Sequence, residues 1–198
     1  MRKNTKLEII QAARKLFNEY GYNDVSTQSI ADAMGISKGN LNYHFKRKED
    51  IIEAVVEEMH SHYVRPRTPA TLEELNDHFT RSQQVARENA FYFWNYTQLG
   101  LMSDKIRMIQ STMIVNNNTL FSEAFWHLNK EGSLRDETYP GQYRQIIQAL
   151  MLTCTYWTPY SKLAKNLDTG DSYQDCVWAV IYPLLTEKGR EYFRIIMK

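Results

Sequence analysis

The chain has 198 residues, 43% hydrophobic and 24% charged, with only eight Gly and five Pro, so it can bury a core unaided and is neither collagen-like nor low-complexity. No apolar run approaches the ~20 residues of a membrane span, the N-terminus lacks a signal-peptide core, and Cys154 and Cys176 form neither a metal-ligand set nor a disulfide scaffold. The expectation is a cytoplasmic protein with reduced thiols, no metal and no cofactor; its net charge of +1 argues against a uniformly basic nucleic-acid binder.

The periodicity is helical throughout, so the expected fold class is all-α, with about nine helices and no strand. A first helix runs from about Lys6 to Tyr20, with Thr5 and Glu8 at capping-box spacing, an apolar stripe through Ile9/Ile10, Ala13 and Leu16/Phe17, and Gly21 as a left-handed stop. Ser26 is a suitable N-cap for a short second helix carrying Ile30, Ala31 and Met34, which Gly35 ends. Ser37 opens a third helix to about Phe45, and Lys46-Arg47-Lys48 leads into a fourth, expected to end near Tyr63, with Glu49 and Asp50 at its positive dipole end. Arg65-Pro66-Arg67-Thr68-Pro69 reads as a linker. Thr71 with Glu74 then caps a long helix expected to reach Leu99, with Gly100 at its end. Another helix reaches about Lys130, and residues 131–141 read as a surface loop. Two last helices are expected at Gln142–Asn166 and Asp171–Met197, separated by Asp168-Thr169-Gly170, with Asp171 and Gln174 as a cap pair and Pro159 and Pro183 as kinks.

The charge is divided unevenly. Residues 1–48 hold nine Lys and Arg against four Asp and Glu, a net of +5, and the remainder is −4. That asymmetry marks a basic module, residues 1–48, fused to a mildly acidic body, residues 49–198. Within the module, Ala31 and Gly35 have the four-residue spacing that two crossing helices and a tight turn require, and Ile30, Ile36 and Leu41 fill the space between them. An ordinary helical hairpin shares that spacing. A helix-turn-helix would deliver the first turns of its second helix to a DNA major groove.

The longer run Ile10-Gln11-Ala12-Ala13-Arg14-Lys15-Leu16-Phe17, Gly21-Tyr22, Ile30-Ala31, Gly35-Ile36-Ser37-Lys38-Gly39-Asn40-Leu41, Tyr43-His44-Phe45 and Lys48-Glu49 resembles the DNA-binding domain of the TetR (tetracycline-repressor) family of bacterial regulators. Asn42 departs from the pattern, since the family most often has a backbone-contacting tyrosine there. The resemblance implies double-stranded DNA as partner and a three-helix reading head. Ser37, Lys38 and Gly39 sit where backbone amides can meet a phosphate. Lys38, Asn40 and Asn42 face base edges, and Thr27 and Gln28 reach the groove rim. Tyr43 and the Asn42 amide partly replace the missing tyrosine contact, Lys48 resembles the family's phosphate-binding lysine, and His44 either approaches phosphate or packs.

For the body the resemblance implies an all-helical effector-binding and dimerisation domain. Residues 91–96 place five aromatics in six positions, which are core, interface or the wall of an effector cavity. In the last case Tyr92, Trp94 and Tyr96 combine with Phe121, Phe125, Trp126, Met151 and Trp157 around a small apolar or aromatic effector. The stripes Ile146/Ile147, Leu150, Cys154, Trp157 and Val177, Val180/Ile181, Leu184/Leu185 form a homodimer bundle or are buried within one subunit. A ligand-released repressor on a palindromic operator follows, effector binding tilting the fourth helix and changing the head spacing. The alternative is a DNA-binding dimer without a small-molecule ligand, controlled by a protein partner or by expression level. An enzyme is not expected: His60 and His62 face different sides of a helix, His78 and His127 are isolated, and no phosphate loop or nucleophile motif is present.

Overall fold

The computed structural model describes residues 5–61, 63–164 and 170–197. Arg2, Lys3, His62, the expected helix end near Asn166 and the Asp168-Thr169 turn lie outside them. The described residues are helical, with no β-strand beyond an isolated Leu134–Leu185 bridge. Eleven α-helices occur among them: α1 Thr5–Tyr20, α2 Thr27–Ala33, α3 Lys38–His44, α4 Lys48–Ser61, α5 Leu72–Glu88, α6 Ala90–Trp94, α7 Tyr96–Met102, α8 Asp104–Glu131, α9 Gln142–Leu163, α10 Tyr173–Ile181 and α11 Glu187–Ile196. None is long and apolar enough to cross a membrane.

The eight helices placed in chain order, against an expected total of about nine, become eleven because one is interrupted twice and another once. The expected Thr71–Leu99 helix breaks at Asn89 and Asn95, both outside helical geometry, and α7 runs through Gly100 to Met102. Gly100 therefore ends nothing. A Cβ there would lie 2.2 Å from Gln110 Oε1, so the glycine admits the buried Gln110 side chain, whose Nε2 donates to the Tyr96 carbonyl at 2.8 Å. The final helix divides at a 3₁₀ turn, Tyr182–Leu184, because Pro183 has no amide to continue the ladder. Pro159 does not break α9. Ser172, not Asp171, caps α10: its hydroxyl accepts from Asp175 N, and Asp175 returns a bond to Ser172 N. Thr71 caps α5 as expected, while Glu74 reaches back to Ala70 N.

By packing, the chain divides into two compact units, residues 1–64 with 88–112, and residues 65–87 with 113–198. The first is built around Ile9, Ala13, Phe17, Ile30, Ala31, Leu41, Ile51, Val55 and Phe91, all fully or nearly fully buried. The boundary at Lys48/Glu49 expected from charge differs from this packing boundary: α4 packs on α1, and α6 also touches α1.

The second unit is centred on Leu75, Phe79, Phe121, Phe125, Leu150, Val177 and Trp178. Its linker is anchored where Arg65 Nη2 and Thr68 Oγ1 both donate to Glu123 Oε2, at 2.6 and 2.7 Å. His78 is a core histidine here, 8% exposed, with its ring against Phe79 and edge-on to Phe121. Burial, assisted by the Arg81 charge, lowers its pKa to about 4. The native chain therefore binds fewer protons than the unfolded chain between about pH 4 and His78's ordinary value of 6.5. Stability rises with pH in that window and is lost as pH falls through it. Urea unfolding at pH 7 and pH 5 should show His78 contributing about 2 kcal/mol or less of the difference. His78→Phe should shrink that difference, and an unchanged pH dependence would contradict the buried neutral imidazole.

Candidate nucleic-acid interface

The head is assembled by local rules. Ser26 Oγ accepts from Ser29 N, and Ser29 Oγ closes a capping box on Ser26 N, fixing the start of α2. Ile30 and Ala31 have no exposed surface, so α1 and α3 can approach α2 closely. Gly35 takes φ +64°, a left-handed conformation open to glycine at no steric cost, and Ile36 N then donates back to the Ala31 carbonyl at 3.1 Å. Ser37 caps α3 through Asn40 N. Leu41 and Phe45 bury the inner face of α3, which leaves Lys38, Gly39, Asn40 and Tyr43 on the outside.

That outer face carries side chains with few duties inside the protein. Tyr43 is 79% exposed and meets the half-buried His44 ring edge-on. A Cβ at Gly39 would meet nothing closer than Ser37 Oγ at 3.8 Å, so the chain's own packing does not demand glycine there. A close approach from outside would. Gln28 is exposed and donates to Asp32 across one turn of α2 at 2.7 Å.

Beside α3 lies an open groove of about 550 Å³ that brings together Thr27, Lys38, Asn42 and Lys48. Lys46 and Arg47 also line it, against the acids Asp24 and Glu49. These two cations were readable only as a charge run, and the groove is what gives them a shared surface with α3. Arg47 is oriented by Asp50, which accepts from its backbone N and from Nη2, both at 3.0 Å. Lys48 Nζ lies 4.2 Å from the Tyr22 ring centroid and 3.3 Å from the Asn23 carbonyl. Burial lowers its pKa, opposed by Glu49 and Asp24. A phosphate would replace solvent that this ammonium has already lost. Lys48→Ala should therefore weaken binding to every duplex alike and reduce the slope of log affinity against log salt by about one. Anisotropy titrations at several salt concentrations check this, and an unchanged slope would remove Lys48 from the interface.

The body residues are placed less uniformly. Tyr92 is buried, with its ring edge-on to Phe93, Tyr96 and, at 5.8 Å, His60 of α4. Burial raises its phenol pKa, the neighbouring Tyr96 adds to this, and a hydrogen bond with Gln110 opposes it. Trp94 and Tyr96 are half-buried in the same unit. In the second unit Phe121 stacks on Phe79, Phe125 meets the edge of Tyr143, and both belong to the core. Met151 and Trp157 pack partly buried against that core, while Trp126 is 57% exposed beside His127. Phe121 and Phe125 thus sit in the core of the second unit and Trp126 at its surface.

The stripes expected to form a homodimer bundle or to be buried within one subunit lie in the core of the second unit. Ile147, Leu150, Val177, Ile181 and Leu184 are at most 2% exposed within a single chain, because α9 and α10 pack their apolar faces on each other. Cys154 packs partly buried against them, accepting a hydrogen bond from Tyr173 OH at 3.2 Å, with its thiol pushed up to about 11 by burial. No group of three or more metal-ligating side chains occurs among the described residues.

A capped helix pair with a glycine turn, an outward polar face on the second helix and a cationic groove beside it define a helix-turn-helix DNA-binding protein. Residues 9–55 match the family model described as bacterial regulatory proteins of the tetR family, and residues 55–193 match that of a bacterial transcriptional repressor. The chain belongs to the TetR family of bacterial transcriptional regulators. It is 25% identical over 184 residues to the HTH-type transcriptional regulator UidR of Escherichia coli (strain K12), covering 92% of this chain and 93% of UidR. A TetR-family regulator from Marinobacter aquaeolei shares the fold with a TM-score of 0.76, at 23% identity over 95% of this chain and 94% of that one. SmeT, described as the repressor of a Stenotrophomonas maltophilia multidrug efflux pump, shares it with a TM-score of 0.61, at 16% identity over 93% and 92% of the two chains.

Proposed function

We propose that the protein is a repressor that binds a palindromic operator as a homodimer and leaves it when a small apolar or aromatic effector binds in the body. The observation that carries this reading is the division of α3, whose inner face is sealed by Leu41 and Phe45 while its outer face carries Lys38 and lies beside Lys46, Arg47 and Lys48. Lys38, Asn40 and Asn42 read bases in this account, with Asn suited to adenine. Ser37, Gly39, Tyr43, Lys48 and the rim residues Thr27 and Gln28 set the register on phosphate, joined by Lys46 and Arg47.

The dimer face is the outward side of α9 rather than its buried stripe. Ala149, Leu152, Tyr156, Tyr160 and Leu163 are all exposed, at spacings of three and four residues that keep them on one side of the helix. No charged residue occurs from Gln145 to Ser161. A two-fold pairing of this face is isologous, so one uncharged surface serves both partners.

The half-buried aromatics Trp94 and Tyr96 are the effector contacts in this reading. Displacing α6 would reach α4 through the Tyr92–His60 ring contact and tilt it, shifting the dimer between two head spacings. The effector acts only through its differential affinity for those two states. Selection of bound duplexes from a randomised pool tests the operator claim. An inverted repeat should be recovered, and enrichment of single asymmetric sites would overturn the dimeric reading.

A further inference from the structure

Lys48 occupies an unfavourable place for a cation. It is the first residue of α4, at the end where the helix dipole is positive, and burial lowers its pKa. A long, flexible and strongly hydrated ammonium side chain would gain freedom and solvent by swinging outward. Two groups hold it at the groove instead. The Tyr22 ring centroid lies 4.2 Å from Nζ, and the Asn23 carbonyl accepts from Nζ at 3.3 Å. Asp24 and Glu49 favour its charged form.

The ring is itself fixed from inside its packing unit. Tyr22 is 5% exposed and does not line the groove. Gly21, at φ +88°, ends α1 just before it, and Phe17 of α1 meets the Tyr22 ring edge-on at a centroid distance of 5.4 Å. The Tyr22 hydroxyl donates to Met102 Sδ at the end of α7, at 3.6 Å. The ring therefore cannot follow Lys48 outward. An aromatic face attracts an ammonium through its quadrupole, and the hydroxyl is engaged elsewhere, so the attraction needs the ring and not the phenol. All of these residues belong to the unit of residues 1–64 and 88–112.

We propose that Tyr22 is a positioning residue for phosphate binding, its ring face holding the Lys48 ammonium at the wall of the groove before DNA arrives. Tyr22 itself does not touch DNA. Its contribution is preorganisation: a side chain already confined and partly stripped of solvent loses less on binding than one that must be ordered at that moment. This deepens the reading of Lys48 as a phosphate contact and rests on it.

The test is a double-mutant cycle on full-length protein, reading affinity for a selected duplex by anisotropy. Tyr22→Leu should weaken binding about fivefold. Tyr22→Phe keeps the ring face and should bind within about twofold of wild type. In a Lys48→Ala background Tyr22→Leu should cost less than about twofold, because the ring then has no ammonium to hold. A purely structural role for Tyr22 would give the same factor in both backgrounds, and that result overturns the proposal. So does a Tyr22→Leu variant that binds like wild type, or a loss in Tyr22→Phe as large as in Tyr22→Leu. Lys48→Ala binding as tightly as wild type would instead remove Lys48 from phosphate, and the positioning role with it. If Tyr22→Leu does not fold, pentafluorophenylalanine at position 22 takes its place, since it keeps the shape of phenylalanine while reversing the charge on the ring face. It should then show the loss in the wild-type background and none with Lys48→Ala, and equal losses in both overturn the proposal.

Discussion

Leu152→Glu is expected to separate the protomers and to cut affinity for an inverted-repeat operator by roughly a hundredfold or more, since one head then binds one half-site. Leu152 is 62% exposed on α9, so the substitution disturbs no intrachain packing and the protomer should keep its helical content and thermal stability. Two glutamates brought together across a two-fold axis would be desolvated side by side in an uncharged surface. Burying such charges unpaired costs several kcal/mol, and the apolar burial that the leucine pair supplied is gone as well. Sedimentation of the variant should give the monomer mass at concentrations where wild type is dimeric. A dimer of unchanged stability would show that the outer face of α9 is not the interface. The same substitution should leave half-site binding intact, which separates loss of dimerisation from damage to the head.

Trp178→Ala should destabilise the protein by about 3–5 kcal/mol, the range for removing a large aromatic from a packed core. Trp178 is 1% exposed. Its ring meets the edges of Phe79 and Phe193 at centroid distances of 6.0 and 5.3 Å, and its Nε1 donates to Asn76 Oδ1 at 3.0 Å. The cavity left behind would touch α5, α10 and α11 together, and Asn76 would lose its donor. A loss of that size is a large part of the roughly 5–15 kcal/mol available to a typical domain. Urea unfolding checks it. Trp178→Phe should recover most of the loss, whereas a cost below about 1 kcal/mol for the alanine variant would contradict the packing.

The two ends of the molecule differed in how far the amino-acid order alone could be read, and the reason is the range of the forces involved. Ser26, Gly35 and Ser37 act within four or five residues, so the caps and the turn of the head follow from local chemistry. The interruption at Asn89 does not, because the groups that stabilise it, Arg14 and Asn18, lie seventy or more positions away. Gly100 resembled a helix stop, yet its purpose is room for Gln110. α9 hid its roles for a different reason. It is apolar toward α10 through Ile147 and Leu150 and apolar outward through Leu152 and Tyr156, and hydropathy does not say which partner a face meets. The corresponding ambiguity among the aromatics resolved toward core for Phe121 and Phe125, which pack on Phe79 and Tyr143.

The most direct test of the account is hydroxyl-radical footprinting of the full-length protein on the duplex it selects. Two protected patches should appear on one face of the DNA, related by the dyad of the repeat and about 34–36 Å apart or a whole multiple of one helical turn. Protection of a single patch, or of backbone unrelated to the dyad, would contradict reading of a palindrome by two copies of α3.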